Sequence, residues 1–68
     1  MYLKVYYHGD DIATPELVRA YLQQDMPGLE VLDTRIYPMV EFPENCTYSE
    51  YRRVQEFLES CGFETESW

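Results

Sequence analysis

Apolar and polar positions alternate from Tyr2 to Tyr7. Leu3, Val5 and Tyr7 fall on one face of an extended segment, and Tyr2, Lys4 and Tyr6 on the other, which predicts a strand over 2–7. The period then changes. In TPELVRAYLQQD, residues 14–25, Leu17, Val18, Tyr21 and Leu22 recur at helical spacing and form one apolar stripe. Thr14 supplies an N-cap oxygen, and Pro15 falls at the first helical position, where a missing N–H costs nothing. Pro27-Gly28 ends this helix and turns the chain, with Gly28 free to take positive φ.

The stretch LEVLDTRIYPMVEF is β-rich but not cleanly periodic. Leu32, Thr34 and Ile36 alternate with Asp33 and Arg35, and proline at 38 cannot donate to a ladder. Two strands over 29–36 and 39–42 are expected, paired as a hairpin, or else a single bent strand. A second helix starts at Thr47, which with Glu50 matches the S/T-x-x-E capping box. Tyr51, Val54, Leu58 and Cys61 make its buried stripe, with Phe57 beside it. Gly62 suits the C′ position and lets Phe63 pack back on Leu58. FETESW alternates and can form a short edge strand with Glu64 and Glu66 on one face.

The order is β-α-β-β-α, with a closing β at the end. Each helix has one apolar stripe, so both can cover the same face of an antiparallel sheet. The expected fold is a single α+β domain over 1–68, a compact ferredoxin-like or split β-α-β arrangement.

Sixty-eight residues bury only a thin core. No apolar run reaches the roughly 20 residues of a membrane span, and no basic-then-apolar leader opens the chain, so a cytoplasmic protein is expected. Cys46 and Cys61 bracket the second helix, which sets them about 20 Å apart at a rise of 1.5 Å per residue. That separation exceeds disulfide reach, and free thiols fit a reducing compartment. Thirteen acids against five bases give a net charge of −8. Nucleic-acid binding needs lysine and arginine to displace counterions, so direct binding to DNA or RNA is disfavoured, as is an anionic membrane surface. A basic protein surface is the favoured partner.

HGDD, residues 8–11, is the stretch closest to a reactive site. His8 ends the first strand, Gly9 turns the chain, and Asp10 and Asp11 precede the first helix, whose N-terminus favours negative charge. Each residue thus has a structural role. A hard cation on Asp10 and Asp11 with a distant glutamate is the alternative. With one histidine in the chain, no catalytic constellation forms and neither a cofactor site nor an enzyme is expected.

Tyr2 and Tyr6 lie on the open sheet face, where RNA-binding domains of this topology stack bases. The face offers Lys4 and Arg35 as its basic residues, so these tyrosines are read as covering the sheet or meeting a protein. The acids carry the remaining signal. Glu41, Glu44, Glu50, Glu56, Glu59, Glu64 and Glu66 face only Arg52 and Arg53 in the second part of the chain. Glu56 and Glu59 are helical neighbours about 5–6 Å apart. Glu64 and Glu66 lie about 6.6 Å apart along one strand face. Phosphates along a nucleic-acid strand have a comparable separation, so a surface spaced this way can occupy a groove built for nucleic acid. The plain alternative is a solvated face that keeps a small protein soluble.

A short, strongly acidic, tyrosine-rich chain without a catalytic motif resembles the small proteins that phages encode to block host defences. The residues that carry the resemblance are Glu41 through Glu66 and the open-face tyrosines. Within that group it looks most like acidic anti-CRISPR inhibitors, several of which imitate nucleic acid. The resemblance implies an inhibitor, not an enzyme, acting in the host cytoplasm on a CRISPR effector or another nucleic-acid-binding complex. Its partner-binding residues would be the seven glutamates helped by Asp10 and Asp11, with Tyr48 or Tyr51 as an anchor. A self-associating regulatory or scaffolding module, monomer or homodimer, is the competing expectation.

Overall fold

The computed structural model describes residues 1–34 and 37–68. Arg35, and the end of the strand expected over 29–36 at Ile36, lie outside the described residues. The elements run β1 (Tyr2–His8), β2 (Asp11–Ile12), α1 (Pro15–Asp25), β3 (Glu30–Leu32), β4 (Met39–Glu41), α2 (Tyr48–Ser60) and β5 (Phe63–Ser67). The fold is α+β, with two helices and an antiparallel sheet of one strand more than the alternation pattern predicts.

β1 is central. Its first half pairs with β4, with Leu3 opposite Val40, and β4 pairs outward with β3, with Val31 opposite Val40. β5 lies along the other edge of β1, with Thr65 opposite Val5. Leu3, Val5, Val31, Val40 and Phe63 are buried in one cluster with Val18 and Leu22 of α1 and Tyr51, Val54 and Leu58 of α2. Leu17, Tyr21, Phe57 and Cys61 pack at its margin. Both apolar stripes therefore serve the same core, as the helical spacing predicts.

Both helix starts follow their cap residues. Leu17 N donates to Thr14 Oγ1 at 3.2 Å, with Pro15 opening α1. At α2, Glu50 N donates to Thr47 Oγ1 at 3.1 Å while the Glu50 carboxylate returns to the Thr47 backbone, completing the box. α2 ends at Cys61, and Gly62 takes φ of +94°. Phe63 is then buried, its ring 4.4 Å from His8 and 5.1 Å from Tyr21.

Three expectations change. First, Tyr7 does not share a face with Leu3 and Val5. The β1–β5 register shifts between Val5 and Tyr7, so that Tyr7 stands opposite Glu64 and His8 opposite Phe63. Tyr6 is the extra residue of a β-bulge, and beyond it the alternation of β1 is inverted. His8 turns toward the helices, where its Nε2–H donates to the Cys61 carbonyl at 3.0 Å. Second, Asp10 and Asp11 do not simply lead into α1. Gly9, at φ of +63°, makes a two-residue turn with Asp10, and Asp11–Ile12 folds back on His8 and Tyr7 as β2. Third, among the described residues of the strand expected over 29–36, only the three of β3 are in the ladder, and Asp33 and Thr34 leave it.

Candidate functional site

The sheet face turned away from the helices is the most distinctive surface of the molecule. Alternation along β1 places Tyr2 and Lys4 there, and the bulge adds both Tyr6 and Tyr7. Lys4 stands opposite Met39 on one side and Glu66 on the other. Tyr37 reaches the same face, its ring 4.7 Å from Tyr6 and 6.1 Å from Tyr7, both edge to face. The Trp68 ring lies against Lys4, and the Trp68 backbone N–H donates to the Tyr2 carbonyl at 3.1 Å. Ile12, across from Tyr7, and Trp68 are 57% and 66% exposed, which leaves two large apolar groups uncovered.

Four glutamates rim these rings. Glu66 is exposed and accepts the Tyr6 hydroxyl at 2.7 Å; Glu64 is exposed two residues earlier. The bond to Glu66, with burial and the charge of that carboxylate, raises the Tyr6 phenol above its usual pKa. A hydrogen bond with Tyr7 raises that of Tyr37. At the other end, Glu41 accepts the Tyr2 hydroxyl at 3.2 Å and stands directly opposite Glu30 on the β3–β4 ladder. Glu30, Glu41 and Glu44 border an open groove of about 500 Å³ floored by Met26, Leu29 and Phe42.

The nine acids singled out in the sequence do not form one patch. Glu41, Glu64 and Glu66 belong to the sheet face. Glu50, Glu56 and Glu59 belong to α2, the opposite layer. Glu44 lies in the β4–α2 connection, and Asp10 and Asp11 are exposed in the β1–β2 hairpin. The three α2 acids also have structural partners. Glu50 caps its helix, Glu56 is 3.6 Å from Arg52, and Glu59 accepts from Thr65 Oγ1 at 2.8 Å. Thr65 in turn accepts from buried Gln55 at 3.3 Å, which ties α2 to β5. Among the described residues, only Asp25 and Glu56 lie within ion-pair distance of a basic side chain.

Of the two anchor tyrosines, Tyr51 is buried, with its hydroxyl donating to the Tyr2 carbonyl at 3.1 Å, and Tyr48 is exposed. Cys46 and Cys61 are free and half-buried. Among the described residues, no three histidine, cysteine or carboxylate side chains converge as metal ligands, and no helix is long and apolar enough to cross a membrane.

Sequence reasoning placed Tyr2, Lys4 and Tyr6 on this face but missed Tyr7, Tyr37, Trp68 and Glu30. The one available signal was the closing strand: once it is paired with β1, the residue after it falls beside Lys4. Compared with protein-family models, with curated proteins and with solved structures, the chain shows no match.

Proposed function

We propose that this chain is a small acidic interaction protein, an inhibitor that occupies a basic nucleic-acid-binding surface of a partner complex and excludes DNA or RNA by competition. The observation that carries the reading is the placement of Glu30 directly opposite Glu41, with Glu44 beside them. Like charges paired across a ladder cost stability, and no basic side chain among the described residues lies within ion-pair distance of any of the three. A net charge of −8 favours the encounter with a basic surface and repels free nucleic acid. The resemblance to acidic anti-CRISPR inhibitors makes a CRISPR effector in the host cytoplasm the first partner class to test. The strand order β5-β1-β4-β3 supports a split β-α-β, ferredoxin-like framework to which the β2 hairpin is added.

The test is affinity capture from nuclease-treated bacterial lysate at low and high salt, followed by elution with double-stranded DNA or with RNA. A nucleic-acid-binding protein held at low salt and displaced by nucleic acid is the expected result. A captured protein that nucleic acid leaves in place refutes competition, and so does an empty eluate. Charge reversal at Glu64 and Glu66, set against reversal at Glu56 and Glu59, shows which layer carries the contact.

Self-association has one observation in its favour: β5 is an outer strand beside exposed Trp68. That reading requires a mass by sedimentation that rises with concentration, and a constant monomer mass ends it.

A further inference from the structure

Lys4 is held by aromatic rings. Its Nζ is 4.4 Å from the Trp68 ring centroid and 5.5 Å from those of Tyr6 and Tyr37. Three ring faces converging on one ammonium form an aromatic cage, a geometry that selects cations through the negative faces of the rings. The surrounding charge makes this notable. Carboxylates outnumber basic side chains thirteen to five, yet Lys4 has no carboxylate within ion-pair distance among the described residues. Glu66 stands opposite Lys4 on the ladder but spends one oxygen on the Tyr6 hydroxyl. That bond fixes a ring of the cage and leaves the exposed carboxylate at its mouth.

We propose that this cage is a docking site for an arginine side chain of a partner protein, and that Lys4 is the internal occupant which gives way to it. The proposal rests on the reading that the partner surface is basic, and it adds which face and which side chain make the contact. Arginine fits better than lysine. A planar guanidinium can lie on the Trp68 ring while its edge forks onto the Glu66 carboxylate, whereas an ammonium is a compact, strongly hydrated point charge. The Lys4 stem is long and flexible enough to withdraw along the sheet, and Trp68 is exposed where the guest must enter.

Trp68 is the only tryptophan in the chain, so its fluorescence reports the cage directly. The probe is the blocked pentapeptide Gly-Gly-Arg-Gly-Gly, titrated into the full chain at low salt, with a norleucine analogue as control. Arginine peptide should change Trp68 emission saturably, and the norleucine peptide should not. Lys4→Met empties the cage of its charge and should tighten binding about fivefold, the worth of one exposed cation–π contact. Arg53→Met makes the same change in net charge on α2 and should alter affinity less than twofold. Thermal melts verify that each variant is folded, and Lys4→Thr serves in place of Lys4→Met if the latter is not.

Equal tightening by the Lys4 and Arg53 variants would mean diffuse attraction and overturn the cage. So would peptide binding that leaves Trp68 unchanged. An emission change that follows protein concentration without peptide would name a second copy as the occupant, and also overturns it. The two readings fail separately. If arginine peptide enters the cage but nucleic acid displaces nothing from the captured partner, competition fails and the cage stands. If nucleic acid displaces the partner but Trp68→Leu captures it equally well, the cage fails and competition stands.

Discussion

The opposed pair Glu30–Glu41 makes a direct energetic prediction. The two residues are Cα partners on the antiparallel β3–β4 ladder, so their side chains leave the same face side by side. Glu41 is also oriented by the Tyr2 hydroxyl at 3.2 Å. Two carboxylates about 6 Å apart in a water-like dielectric repel by about 0.7 kcal/mol. Glu30→Lys changes that repulsion into an attraction of similar size, a swing of about 1.4 kcal/mol before losses. Screening at physiological salt and the cost of ordering a lysine reduce the gain to roughly 0.5–1 kcal/mol. In a domain of this size that is a rise in Tm of about 2–8 °C. Differential scanning calorimetry at low and high salt measures it, and the gain should shrink as salt rises. Glu64→Lys is the control, because it changes net charge equally while facing Tyr7 across its ladder. If Glu30→Lys is neutral or destabilising at low salt, or gains no more than Glu64→Lys, the pairwise repulsion argued above is wrong. The functional side follows. If the acids are kept for a basic partner, the stabilised variant should bind that partner less well.

Two further perturbations have worked-out directions. Thr47→Ala removes the acceptor of Glu50 N and dismantles the capping box, so it should cost about 1 kcal/mol, while Thr47→Ser should restore most of it; urea melts compare the two. The phenol of Tyr6 is raised by its bond to Glu66, so the neutral phenol is the form that the fold stabilises. Its contribution is complete below the unfolded tyrosine range near pH 10 and is lost as pH rises through the higher folded value. Glu66→Gln should bring the late part of the ultraviolet phenolate titration to lower pH, and an unchanged curve would show that the bond does not form in solution.

The parts of the fold legible in the sequence are those decided locally. Thr47 and Glu50 are three residues apart, and their cap forms within one turn. Val18 and Leu22 are one turn apart and bury the same stripe. The face of Tyr7 was not legible, because the bulge exists only in the pairing of Val5 with Thr65 and Tyr7 with Glu64, nearly the full chain length away. β2 is two residues long, too short to show a period. The acids were countable but not placeable. Their division between α2 and the sheet depends on strand order, and three of them turned out to serve a helix cap, an ion pair and a hydrogen bond. The cage joins residues 4, 6, 37 and 68, which only the folded sheet assembles.

The bulge has a consequence for how insertions and deletions would act on this chain. In a regular strand, residues an even number of positions apart share a face; Val5 and His8 share one at an odd separation because Tyr6 is surplus to the pairing. Deleting Tyr6 would leave Thr65, Glu64 and Phe63 opposite the same three partners on β1 and would restore ordinary parity. The β1–β5 ladder therefore has no need of that residue, whereas on the other side of β1 its carbonyl accepts from the backbone N–H of buried Ala13 at 3.0 Å. What would vanish is that bond to Ala13, one wall of the Lys4 cage and the hydroxyl that orients Glu66. Tyr6 is thus surplus to one ladder and bonded in the other, and the bulge turns its ring onto the open sheet face beside Lys4.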